Sequence, residues 1–155
     1  MFGWKAAKPV VLAVSSGGGH WVQMQRLAPA FDNADVHYAT TDKTASAQVS
    51  EARLHIYPDA NKETPLRLIM CVIRLAWIVA RVRPDVVIST GAAGGFTAIK
   101  LARLIGARTM FVDSIANVRG LSVSARLSVG VADRVLTQWP RVAAVTGADY
   151  RGAVI

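Results

Sequence analysis

The chain is poor in the residues that build disulfides and metal sites. It holds one cysteine, Cys71, and three histidines in 155 residues. A lone thiol forms no internal disulfide, and a cysteine-rich zinc site is excluded with it. His20, His37 and His55 lie too far apart for metal-ligand spacing, so no metal is expected. Acidic residues are also few: ten Asp and Glu against eighteen Lys and Arg, a formal net charge of +8. No charge-free apolar run approaches the roughly 20 residues of a membrane-spanning helix. The longest candidate, 66–82, contains Arg74 and Arg81. The start, Met1 to Pro9, leads into only a short apolar run, Val10 to Val14, so no secretory signal is expected.

What is present is apolar. Residues of the hydrophobic class make up 52% of the chain, which excludes a disordered segment. The length is that of one domain, 1–155. Cationic surface beside excess apolar surface points to an anionic membrane or a partner chain. Nucleic acid is not expected as a partner. The basic residues are scattered among apolar ones, without an aromatic platform for bases.

Short apolar runs alternate with helix-length segments, the pattern of a doubly wound parallel α/β sheet. Strands are expected near Pro9 to Val14, Val36 to Ala39, Leu54 to Tyr57, Asp85 to Ser89, Arg108 to Val112 and Arg134 to Thr137, with an edge strand in 150–155. Helices are expected near Trp21 to Phe31, Pro65 to Val82, Phe96 to Ile105 and Ser122 to Val129. Within the first helix, Val22, Leu27 and Phe31 are assigned to the core. Pro65 suits a first helical position, and Pro84 ends the long helix.

Two turns share one layout of apolar strand, small-residue loop and helix: Ser15-Ser16-Gly17-Gly18-Gly19-His20 and Ser89-Thr90-Gly91-Ala92-Ala93-Gly94-Gly95. In an open parallel sheet such turns lie at the carboxyl ends of strands, where ligands bind. Glycine lets the backbone approach a ligand, and the helix start offers free N–H groups to an anion. Neither loop has the Lys-Ser/Thr of a P-loop or a dinucleotide glycine spacing. The plainer reading is that tight turns need glycine. His20 opens a helix, where the dipole favours neutral imidazole, and it is a candidate general base or ligand partner. His37 and His55 are read as structural or surface residues.

Between Glu63 and Asp85 there is no acid, and Arg67, Arg74 and Arg81 recur every seven residues. Seven residues drift by about 20° on an α-helix, so the three form one stripe. The flanks are apolar and include Trp77. Three readings stand: a core helix with solvated arginines, a docking face for another chain, and an anionic bilayer surface, the last favoured. Further on, Asp113 and Ser114 follow a strand at the same edge, as does Gln138. Asp113, Ser114, Asn117 and Gln138 could hydrogen-bond a sugar or base. Loop capping, with Ser122 or Ser124 as N-cap and Asp133 in a turn, is the plainer account.

The segments 15–20 and 89–95, with Asp-Ser-Ile-Ala-Asn-Val at 113–118, Leu-Ser-Val-Ser-Ala-Arg at 121–126 and Ala-Asp-Arg-Val-Leu-Thr-Gln-Trp-Pro at 132–140, together resemble one family. It is the membrane-recruiting, acceptor-side subunit of split UDP-sugar transferases. The bacterial PssD type of exopolysaccharide biosynthesis is the nearer branch, and the dolichol-pathway UDP-GlcNAc transferase subunit the other. The resemblance implies the Rossmann-like N-terminal half of a GT-B glycosyltransferase, with a PssE-like chain supplying the donor-binding half. It implies a polyprenyl-diphosphate-linked acceptor and a UDP-sugar co-substrate held mainly by the partner, with no other cofactor. It also implies peripheral attachment at the cytoplasmic face of the plasma membrane. Carried onto this chain, His20 and Asp113 become candidate catalytic groups. Ser16, Gly17, Gly18, Gly19, Gly91, Gly94, Gly95, Ser114, Asn117 and Gln138 become candidate substrate contacts. Many members carry Glu at the place of Asp113 and Arg at that of Asn117. The eukaryotic N-terminal anchor is not seen, so attachment is expected to fall to the 65–82 helix through Arg67, Arg74, Trp77 and Arg81. The rival reading is a non-catalytic basic module that recruits a partner to the membrane.

Overall fold

Residues 7–50, 53–61 and 63–154 are described by a computed structural model. Seven parallel strands form one sheet: β1 Val10–Ser15, β2 Asp35–Thr40, β3 Leu54–Ile56, β4 Val86–Ser89, β5 Arg108–Val112, β6 Arg134–Thr137 and β7 Asp149–Tyr150. The order across the sheet is β3-β2-β1-β4-β5-β6-β7, so the winding direction reverses between β1 and β4. At such a reversal the loops after the two strands part and leave a crevice. Five helices connect the strands: α1 Gly19–Leu27, α2 Pro65–Val82, α3 Ala92–Leu104, α4 Val123–Ser128 and α5 Pro140–Ala143.

Side chains alternate between the two faces of each strand. Leu12 and Val14 of β1, Val87 of β4 and Phe111 of β5 point to the face covered by α2 to α5 and pack with Cys71, Leu75, Ile78, Ile99 and Ala125. Val11 and Ala13 point the other way and pack with Trp21, Met24, Phe31 and Tyr38. Beyond β1 this second face carries an apolar trough of about 550 Å³ over Ile88, Met110 and Leu136, with Val154 on its rim.

The sequence places most elements within a residue or two. The long helix, β5 and β6 have the expected bounds. Four readings change. α1 starts at Gly19 rather than Trp21, and its buried face is Trp21, Gln23 and Met24, while Val22 is exposed. Trp21 decides this register: its ring meets Tyr38 edge-on at 5.7 Å, and Nε1 donates to Gln48 Oε1 at 2.7 Å. α3 begins at Ala92, four residues before Phe96, so Gly94 and Gly95 belong to its first turns. Tertiary packing overrides their poor helix propensity there. A 3₁₀ turn at Lys43–Ala47, capped by Asp42 Oδ1 accepting from Thr44 N, and helix α5 were not expected. The expected edge strand reduces to Asp149–Tyr150, and residue 155 lies outside the described residues.

Candidate functional site

β1 and β4 end side by side, and each turns directly into a helix. The two turns are tied by a reciprocal pair of hydrogen bonds. His20 Nδ1 lies 2.8 Å from the Thr90 carbonyl oxygen, and Thr90 Oγ1 donates to the His20 carbonyl oxygen at 2.8 Å. A carbonyl oxygen only accepts, so Nδ1 carries the proton. In the neutral ring the lone pair then sits on Nε2, which has no partner among the described residues.

Gly91 makes room for this arrangement. Its φ of 146° lies where side chains are rarely tolerated, and a Cβ there would overlap the His20 ring. Ala92 follows with φ 66°, a left-handed conformation unusual for alanine. Consecutive outliers at the start of α3 mark a turn that the surroundings impose. In the first loop Gly18 has φ 64°, and Gly17 N donates to Thr41 Oγ1 at 3.0 Å. Neither α1 nor α3 has an acid in its first turn or a side-chain cap. The first N–H groups of each helix therefore lie at the edge of the cleft without an intrahelical or side-chain acceptor. Ser16, Gly17, Gly18 and Ala92 line about 740 Å³ of open cleft. It continues past Ala92, Val123 and Ser124 into about 290 Å³ bordered by His20, Ser114 and Asn117.

Gly94 and Gly95 sit beneath the cleft, both buried. A Cβ on Gly94 would press on the Tyr57 ring, and one on Gly95 would overlap Ser89 Oγ. Their lack of a side chain lets α3 close onto the sheet. Tyr57 is itself buried and donates to the Ser15 carbonyl at 3.0 Å, bracing the end of β1. Burial pushes its phenol well above the usual range, so it stays a donor.

Asp113 is 1% exposed. Its Oδ1 accepts from Asn117 Nδ2 at 2.9 Å and its Oδ2 from Ser122 N at 2.9 Å. Both carboxylate oxygens thus hold the 113–122 loop. Gln138, also buried, donates Nε2 to the Asp113 carbonyl at 3.0 Å and accepts from Val154 N at 2.7 Å. Asp113 and Gln138 act as struts below the cleft, while Ser114 and Asn117 reach its wall. Ser122 caps α4 by accepting from Ala125 N at 3.1 Å. Asp133 accepts from Thr109 N at 2.8 Å and pairs with Arg103; these donors hold its carboxyl below the usual range.

Sequence reasoning missed Thr90, Thr41, Gln23 and Tyr57. Thr90 stood inside a quoted motif, yet its partner lies 70 residues away. Gln23, inside the first helix and marked by no motif, is buried and reaches the Val112 and Asp113 carbonyls at 3.3 Å.

On α2 the buried side is Cys71, Leu75, Ile78 and Val79. The outward side is apolar too: Leu66, Ile69, Met70, Ile73 and Trp77 are exposed, from 49% at Trp77 to 76% at Leu66. The guanidiniums of Arg74 and Arg81 flank the Trp77 ring at 4.6 and 5.8 Å. Arg74 Nε also donates to the Ile56 carbonyl at 3.0 Å. Among the described residues no helix is long and apolar enough to cross a membrane, and no group of three metal-ligating side chains occurs. His37 and His55 pair with each other at 3.1 Å on the α2 side of the sheet.

A family model described as oligosaccharide biosynthesis protein, Alg14 like, matches residues 59–154. That span covers the second glycine turn and the three later motifs but not 15–20. No curated protein sequence matches the chain. Among solved structures, MurG from Acinetobacter baumannii is similar with a TM-score of 0.67 and 17% identity, over 86% of this chain and 42% of that one. A UDP-N-acetylglucosamine 2-epimerase from Rickettsia bellii has TM-score 0.69 and 10% identity, over 95% and 45%. A glycosyltransferase from Rickettsia africae ESF-5 has TM-score 0.60 and 11% identity, over 84% and 37%. At these identities the likeness shows the fold: a Rossmann-like sheet matching the N-terminal half of the MurG-like GT-B architecture. The chain spans less than half the length of each of these structures.

Proposed function

The chain belongs to the Alg14-like family of oligosaccharide biosynthesis proteins, and from that premise we propose that it is the acceptor-side half of a two-chain, PssD-type glycosyltransferase. A PssE-like partner supplies the UDP-sugar site across the cleft. The acceptor is a sugar on a polyprenyl diphosphate, presented at the cytoplasmic face of the plasma membrane. The observation that carries this reading is the His20–Thr90 clamp. It fixes Nδ1 as the protonated nitrogen and leaves Nε2 free beside two uncapped helix starts.

The chemistry follows from that placement. An acceptor hydroxyl attacks the anomeric carbon of the donor sugar. A new C–O bond forms as the bond to the UDP phosphate breaks, and the hydroxyl proton passes to His20 Nε2. The N–H groups at the starts of α1 and α3 suit the negative charge of a diphosphate. Asp113 serves by holding the loop that carries Ser114 and Asn117, not as the base, because it is 1% exposed and its oxygens already accept from Asn117 and Ser122. Attachment to the bilayer falls to the outward face of α2, where Trp77 lies between two guanidiniums above exposed Ile73 and Met70. That combination fits the headgroup boundary of an anionic membrane.

The test is sugar transfer by the purified chain with its partner and a lipid-linked acceptor, for wild type and His20→Ala. Loss of the base lowers turnover by about 10²–10⁴-fold. Unimpaired transfer by His20→Ala would favour a non-catalytic recruiting module.

A further inference from the structure

A groove of about 570 Å³ runs between the first half of α2 and the ends of β2 and β3. Lys43, Arg67 and Arg74 line it, with Tyr57 and Met70 as apolar walls. Among the described residues Asp59 is the one carboxylate on its lining, against three cations. Two features set it apart from ordinary basic surface. Arg74 is held at two points, with Nε on the Ile56 carbonyl at 3.0 Å and its guanidinium carbon over the Trp77 ring at 4.6 Å. Its two terminal nitrogens have no hydrogen-bond partner among the described residues. The groove is also not isolated: Thr41 and Asp59 line both it and the cleft over Ser16, Gly17 and Gly18. At its other end Met70, 60% exposed, belongs to the outward apolar face of α2.

We propose that this groove is a second anion site, separate from the glycine loops, which receives the phosphate next to the prenyl chain of a lipid-linked substrate. Lys43, Arg67 and Arg74 bind the phosphate, and the prenyl chain leaves over Met70 and Ile73 toward the bilayer. The rest of the headgroup continues past Thr41 and Asp59 to the glycine loop and His20. The proposal rests on the acceptor-subunit reading for the identity of its occupant. The charge, shape and continuity of the groove stand without it. An oriented guanidinium binds phosphate through two parallel N–H donors, and a lysine adds a point charge.

The experiment compares binding of the full chain to two sets of phosphatidylcholine vesicles. One contains phosphatidylglycerol, and the other an equal charge of polyprenyl diphosphate. Wild type is expected to bind the second about tenfold more tightly, the weight of one charged hydrogen bond. Lys43→Gln and Arg67→Gln lose most of that excess. Lys43→Gln, off the α2 stripe, keeps its phosphatidylglycerol binding within about twofold, as one distant surface charge allows. In bilayer-free solution, farnesyl diphosphate binds wild type more tightly than inorganic diphosphate, and Lys43→Gln weakens it. Three results would overturn the proposal: no excess for the diphosphate vesicles, an equal loss on both vesicles in Lys43→Gln, or equal binding of inorganic and farnesyl diphosphate. Wild type that ignores phosphatidylglycerol refutes the membrane face of α2 instead, and the farnesyl diphosphate arm still decides the groove. Unchanged thermal unfolding of both variants shows that folding is not the cause.

Discussion

Replacing Gly91 by alanine should damage the site through His20 although residue 91 itself does no chemistry. A Cβ at this position overlaps the imidazole at Cε1 and Nδ1 and comes within 3.1 Å of Nε2. The φ of 146° adds a backbone cost of about 1–3 kcal/mol for any side chain. The ring can escape only by leaving the Thr90 carbonyl, which loses a hydrogen bond of about 0.5–1.5 kcal/mol. Gly91→Ala is therefore expected to destabilise the chain by about 2–4 kcal/mol and to reduce transfer as far as His20→Ala does. In a His20→Ala background there is no ring to displace, and only the backbone cost remains. Urea unfolding followed by tryptophan fluorescence for wild type, both single variants and the double variant gives the coupling. About 1 kcal/mol of non-additivity is expected from the bond alone. If Gly91→Ala costs the same in both backgrounds, the alanine and the ring do not compete for the same space, and the account of Gly91 is wrong.

Other expectations follow from the same geometry. Asp113→Asn replaces one of two acceptor oxygens by a donor facing Asn117 or Ser122, and should cost about 1–3 kcal/mol in urea unfolding. Unchanged stability with lost transfer would return Asp113 to the list of reacting groups. Ile73→Asp, at a side chain 64% exposed, should leave unfolding within about 0.5 kcal/mol of wild type while weakening vesicle binding in a sedimentation assay. Burial lowers the pKa of His37 and of His55 from 6.5, and for His55 the neighbouring His37, Arg74 and Arg81 lower it further. The unfolded chain then takes up protons first, so their contribution is complete above about pH 6.5 and is lost as pH falls through the folded values. A melting series from pH 7.5 to 5 should show this decline, and His37→Gln with His55→Gln should flatten it.

Local signals made the skeleton readable. Proline at 65 and 84 bracketed α2, and the Val-Val-Ile run marked β4 as a strand, although buried and half-buried side chains alternate along it because one face borders the apolar trough. The arginine stripe was also legible, because a period of seven needs no tertiary information. What escaped was settled by partners far along the chain. The early start of α3 depends on Tyr57 and Ser89 accepting two glycines against them. Asp113 read as a reactive acid because nothing in the sequence shows that Asn117 and Ser122 already engage both its oxygens. His20 was found, but its tautomer came only with Thr90, 70 residues away.

Tyr57 stands where three of these features meet. Its hydroxyl grips the end of β1, one edge fills the hollow left by Gly94, and its ring is a wall of the basic groove. A headgroup bound as proposed would lie beside the same post that steadies the first glycine loop and the second helix start. Such a post leaves little slack between the basic groove and the edge formed by the two glycine turns. Trimming the ring to leucine should loosen both ends together.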